Sequence, residues 1–215
     1  MGPGAGSAFV SQALGGNMQE NYYAPPQAEV RDVPVAGAGT EEFYVVARAK
    51  FLTLFIATVG VYQIYWFYAH WRQFNEYRRT DLWPVPRAIF SIFFAHSLNA
   101  EIDDRIKRER IPHAWSPVAL ATGYVVLTLA STVLSRFETL SPASDLFTFA
   151  ALVPIGWCML GAQHAANAAC GQPDGSSNRR LTFANYFWIL LGTVFWLLSL
   201  TGYYLLYFGD PTQLG

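Results

Sequence analysis

Four stretches of this chain contain no Asp, Glu, Lys or Arg: 51–71, 114–135, 146–163 and 181–209. A bilayer's hydrocarbon core is about 30 Å thick and an α-helix rises about 1.5 Å per residue, so roughly 20 uncharged helical residues cross it. Four such runs in 215 residues predict an all-α integral membrane protein. The expected fold is a bundle of four to five membrane helices, the first one open to a bend at Gly60, plus an amphipathic interfacial helix. Charged residues make up 13% of the chain, about half the share in a soluble domain. The 14 basic and 15 acidic residues leave a net charge of −1. That balance gives no reason to expect nucleic acid as a partner; the bilayer is the expected one. The first apolar run starts after residue 50, so the early membrane helices are expected to direct insertion.

Residues 1–42 are rich in Gly, Ala, Pro and Gln and show no helical period, which predicts a disordered tail. Within it, Tyr22 and Tyr23 precede Pro25 and Pro26. Paired prolines favour extended polyproline II geometry, so residues 20–30 are a candidate protein-docking peptide, with a plain linker as the alternative. Residues 43–209 form the expected helical membrane domain, and 210–215 a short C-terminal tail.

Ala88–Ala100 is uncharged but only about 20 Å long as a helix, short for a span. It continues into a charged stretch in which Leu98, Ile102 and Ile106 share one face. Glu101 and Arg105, and Asp104 and Arg108, are spaced to pair on the other. One helix over 87–110 is expected, its second half interfacial. Ser116-Pro117 and Ser141-Pro142 start the next two helices. Pro154 predicts a kink in the second of these. The last run, 181–208, is about 42 Å long, so it must tilt or change character near Gly202.

The opening pair, 51–71 and 88–100, decides the topology. If both cross, Arg72, Arg78, Arg79 and Arg136 fall outside, against the positive-inside rule. If the first is a hairpin bent at Gly60 and neither crosses, 13 of the 14 basic residues share one side. A five-element bundle with a cytoplasmic tail is the leading expectation, and full crossing by the opening pair stays open. A sequence echo bears on the bend. Gly60, Tyr62, Tyr65 and Trp66 recur in type as Gly202, Tyr204, Tyr207 and Phe208. Such aromatics favour the headgroup region, so each copy is read as a mark where the chain meets an interface.

Thr58, Gly60, Tyr62, Tyr65, Trp66 and Tyr68, within Lys50–Trp71, make a T-x-G-x-Y-x-x-Y-W-x-Y pattern. It resembles a family of small bacterial inner-membrane proteins known only as a domain of unknown function. Residues 21–29 are similar to an Asn-Pro-Tyr-x-x-Pro opening of small Gram-negative membrane proteins, with Tyr22 in place of the proline. The resemblance implies a multi-pass protein of the bacterial inner membrane, and it brings no activity and no catalytic residues.

No HExxH, GxSxG, P-loop or GxGxxG pattern occurs. The acids at 101–104 lack the further Asp of a metal-diphosphate motif, and Asp174–Asn178 has too few carboxylates for calcium. Cys158 and Cys170 lie 12 residues apart on one predicted helix and are expected to be free thiols. No metal or cofactor is expected, and neither is enzymatic activity. Polar side chains at membrane depth are the better signal, because burying them there is costly. Gln163, His164 and Asn167 lie within one turn, Asn185 opens the last helix, and His96 and Asn99 lie near the inner end of the second. At one depth, the six form a candidate polar pocket for a headgroup, a proton or a small solute. The alternative is interhelical hydrogen bonding at about 1 kcal/mol each. The favoured function is a non-enzymatic adaptor or regulatory membrane component. The alternative is a subunit of a small transporter or channel, which would have to form a homo-oligomer, and a lipid enzyme is third.

Overall fold

A computed structural model describes the backbone of residues 41–134 and 142–208, and the side chains of 41–134 and 149–208. It contains α1 (Arg48–Ala57), α2 (Tyr62–Arg78), α3 (Pro84–Ile89), α4 (Ser91–Arg108), α5 (Pro117–Leu134), α6 (Pro142–Ala169) and α7 (Phe183–Phe208). There is no strand among the described residues. Three helical segments are long and apolar enough to cross a membrane: Pro117–Leu134, Phe149–Ala169 and Phe183–Phe208. The all-α expectation therefore holds, whereas the expected four to five membrane helices become three among the described residues.

The difference lies in the opening pair. The uncharged run 51–71 is broken between α1 and α2, where Val59 (φ 52°) and Gly60 (φ 81°) both enter the left-handed region. Glycine takes that conformation freely; valine, with its branched Cβ, takes it only when its neighbours force it. Thr58 supplies the constraint. Its hydroxyl donates to Leu54 O at 2.8 Å and accepts the Tyr62 N–H at 2.9 Å, tying the end of α1 to the start of α2. The two limbs then run back along α6. Val46, just before α1, meets Asn167, and Trp66 on α2 meets Gln163. The turn at Gly60 lies against Leu152, ten residues from the start of α6 at Pro142, or about 15 Å of helix. So 51–71 is a helical hairpin folded against α6.

The second expected helix, 87–110, is also interrupted. α3 starts with proline at its first position and ends at Phe90 (φ −97°, ψ 39°), after which α4 begins. No Gly or Pro occupies the break. A tertiary contact holds it: Ser91 Oγ lies 2.7 Å from the Tyr124 hydroxyl on α5, which in turn donates to Gln63 Oε1 on α2 at 3.1 Å. Both turns thus meet on one tyrosine. The predicted amphipathic half survives, with Leu98, Ile102 and Ile106 buried and Asp104 paired with Arg108 at 3.5 Å, but Arg105, expected to pair with Glu101, pairs with Glu42 and Glu109 instead.

α5 and α6 pack through small residues, Gly123 against Cys158 and Gly161 against Leu120. Such residues let helix backbones approach where water supplies no hydrophobic drive. Pro154 lies inside α6. α7 packs mainly on α1, with the Trp196 ring also 4.9 Å from that of Phe149 on α6. A Cβ built on Gly192 would lie 1.9 Å from Ala57 O, and Trp196 Nε1 donates to Ile56 O at 2.9 Å. α7 continues through Gly202, which has nothing within 4 Å of its built Cβ. Of the two expectations for this run, tilt or a change near Gly202, the change is absent, and the echo is one of sequence alone: Gly60 turns, Gly202 does not.

These two glycines give a paired prediction. Gly192→Ala must push α7 off α1 and should cost about 2 kcal/mol, as overpacking does. Gly202→Ala should be neutral or stabilising by up to about 1 kcal/mol, from helix propensity. Thermal unfolding of both variants in detergent checks this, and equal melting temperatures would contradict the close approach.

Candidate functional site

Residues 42–47 form a strap leading into α1, bent at 42–43 and without helix or strand at 44–47. It is buried: Phe43 and Val46 are fully enclosed, with Glu42 and Val45 each 3% exposed. Backbone outside helix and sheet has no regular partners of its own, so in the interior each N–H and C=O needs one from elsewhere. Here side-chain amides act as the neighbouring strand. Asn167 Nδ2 donates to Val46 O at 3.0 Å, and its Oδ1 accepts the Val46 N–H at 3.3 Å. Gln163, one turn earlier on the same face, donates to Tyr44 O at 2.8 Å and to Asn167 Oδ1 at 2.7 Å. From the other side Asn178 Nδ2 donates to Val45 O at 2.9 Å and to the Tyr44 hydroxyl at 3.1 Å. Gly175, at φ 60°, allows the 171–178 turn to come this close, for a Cβ there would lie 2.4 Å from Val46 O.

The hairpin completes the clamp. Trp66 Nε1 donates to Gln163 Oε1 at 2.5 Å, and His70 Nε2–H donates to the same oxygen at 3.4 Å. His70 is wholly enclosed, 4.2 Å from the Trp66 ring centre and edge-on to Tyr44 at 5.9 Å. Burial pulls its pKa down to about 3, the Gln163 bond opposing in part, so the imidazole stays neutral. Tyr62 reaches the strap too, its hydroxyl 3.4 Å from that of Tyr44, and the Tyr65 ring stands edge-on to Tyr44. The aromatic signature of α2 thus grips the strap.

Charge fixes both strap ends. The Glu42 side chain, 2% exposed, pairs with Arg78, with Arg105 at 3.3 Å and with Arg108 at 4.0 Å. Lys50 Nζ donates to Asn178 Oδ1 at 2.7 Å and Arg180 O at 2.8 Å, and burial lowers its pKa. Cys170 offers its thiol to Phe43 O at 3.6 Å, and burial pushes its pKa up to about 11.

The six polar residues expected to share a pocket do not. Gln163 and Asn167 come together, bonded directly to each other, but both amides are taken up by the strap. His164 is half-buried, one position round the helix, and does not join them. Asn185 caps α7, its Oδ1 accepting the Thr182 N–H at 2.9 Å. His96 is exposed and bonded to Thr122 Oγ1 at 3.0 Å, while Asn99 donates to Pro117 O at 2.9 Å. Tyr204 is exposed and Tyr207 half-buried on α7, away from the clamp. Tyr22, Tyr23, Pro25 and Pro26 lie outside the described residues. Sequence reasoning missed Glu42, which it placed in the tail, and Asn178, which it weighed only as a calcium ligand. A surplus of arginines at 78, 105 and 108 was the available signal for Glu42. Cys158 and Cys170 are free, and among the described residues no group of His, Cys, Asp and Glu is placed to hold a metal.

Two cavities flank the hairpin. A groove of about 500 Å³ lies between α1, α2, α3 and the start of α7. A crevice of about 210 Å³ sits at the Val59–Gly60 turn, with Gln63, Thr128, Ser131 and Thr132 along it. Among the described residues the chain is thus all-α, with three helices able to span a membrane, the α1–α2 hairpin beside α6 and a helix break at Phe90. It matches no family model, no curated protein and no solved structure.

Proposed function

We propose that the protein is a non-enzymatic adaptor or regulatory component of the bacterial inner membrane, with the strap end cytoplasmic. The orientation follows from basic residues gathered at that end. Arg78, Arg105 and Arg108 converge on Glu42, and Lys50 joins the 178–180 turn; positive charge is retained inside. The resemblance of Thr58–Tyr68 to small inner-membrane proteins supports the location. One observation carries the function: the polar side chains at this depth are spent on the strap through which residues 1–40 join the bundle. A docking peptide such as Tyr22–Pro26 then pulls on α2, α6 and the 171–178 turn together. The test is affinity capture from detergent-solubilised cells, with the full chain against one lacking residues 1–40. Partners lost on deletion, with unchanged membrane insertion, are expected; an identical partner set would overturn the reading.

A second reading, a subunit of an oligomeric transporter or channel, is favoured by the crevice at the hairpin turn. Helix breaks facing a polar space are how transporters form sites. Gln63 and Thr128 would line such a path, and Gln63→Leu would lower any measured flux.

A further inference from the structure

The 500 Å³ groove has a size suited to a small ligand, and its walls are apolar and aromatic. Leu54 and Thr58 of α1, Tyr62 and Tyr65 of α2, Ala88 of α3 and Trp188 of α7 line it. Along α2 it runs from Val61 to Tyr68, about 10 Å of helix, from the hairpin turn toward the strap end. At its mouth stand Thr182 and Asn185. Asn185 uses its oxygen to cap α7 and leaves its Nδ2 as a donor. Thr182 also lines a second, polar hollow formed by Ser176, Ser177, Asn178, Arg179 and Arg180. The two cavities therefore share Thr182 as a lining residue. Arg179 and Arg180 are exposed, and neither guanidinium has an acidic partner among the described residues. No acidic side chain lines either cavity.

We propose that this groove and its basic shelf bind one anionic glycerophospholipid from the leaflet at the strap end. One acyl chain lies along the groove, the ester oxygens meet Asn185 Nδ2 and the Thr182 hydroxyl, and the phosphate sits on Arg179 and Arg180. The second chain lies outside, along the exposed apolar face of α7 (Leu190, Leu191). Charge complementarity selects this occupant. A free phosphate would leave the apolar groove unused, and a zwitterionic lipid would set its own cation against two unpaired arginines. Arginine forks match phosphate oxygens two at a time. The adaptor reading is not needed for this site, and binding is measured on the isolated full chain.

The experiment is native mass spectrometry of the full-length protein released from detergent, with dioleoyl phosphatidylglycerol or dioleoyl phosphatidylcholine at equal concentration. The glycerol lipid should form at least about fivefold more one-lipid adduct. Arg179→Gln/Arg180→Gln should bring it to the choline level. Ala184→Trp, at an exposed position lining the groove, should lower both. Inorganic phosphate at millimolar concentration should not displace the lipid. Equal binding of the two lipids, an unchanged double variant, an unchanged Ala184→Trp, or displacement by phosphate would each overturn the site. Both variants alter exposed side chains, so an unchanged melting temperature certifies their fold.

Discussion

Asn167→Ala is expected to free the strap and to cost about 3 kcal/mol of unfolding stability or more. The substitution leaves two buried groups without partners, the Val46 N–H and the Val46 C=O, and takes from Gln163 Nε2 one of its two acceptors, Tyr44 O remaining. Each orphaned buried group costs roughly 1–3 kcal/mol, reduced where the site relaxes or admits water. The loss should also be local. Hydrogen exchange at 44–47 should accelerate far more than exchange in α5, because the strap has no ladder of its own. Stability from denaturant titration in mixed micelles and exchange at the Val46 amide check the two parts. A variant that keeps slow exchange at Val46 would show that the amide clamp does not hold the strap.

Glu42→Ala should be comparably damaging, by about 3 kcal/mol, for an electrostatic reason. One nearly enclosed carboxylate serves three arginines, and the Arg78 and Arg105 side chains are only 29% and 24% exposed. Removing the shared anion leaves these charges close together and poorly solvated. Breaking a buried pair costs about 3–5 kcal/mol, and partial exposure brings the figure down here. Arg108→Ala should be much milder, because its side chain is 41% exposed and its guanidinium lies 4.0 Å from the carboxylate. A double variant, Glu42→Ala with Arg78→Ala, should recover part of the loss. Additive losses in that cycle would argue against coupling.

Much of the helical framework can be read from charge alone. The bounds of α5 and α7 follow the uncharged runs to within a few residues, because excluding charge over 20 residues has few causes besides a bilayer. The buried face of Leu98, Ile102 and Ile106 follows from spacing. The bend at Gly60 was one of two open readings, favoured by the position of Arg72, Arg78 and Arg79. The break at Phe90 left no trace, since its cause is a hydroxyl on α5 that lies 33 residues further on. Gly202 misled for a related reason. Similar local letters turn the chain only where a neighbour such as Thr58 bridges the turn. The candidate site was half legible. Depth picked out Gln163 and Asn167, but depth says nothing about direction round a helix, so His164 was grouped with them. The strap stayed hidden because its partners at 163, 167 and 178 are more than 100 residues away.

The α1–α2 hairpin carries a mechanical consequence for surrounding lipid. In a bilayer crossed by α5, α6 and α7, a hairpin seated beside α6 with its turn at Leu152 would take up area in the leaflet at the strap end without a counterpart in the far leaflet. Lipids beside such a hairpin would be splayed on one side and crowded on the other, and the elastic strain would be least where the membrane already curves away from the more crowded leaflet.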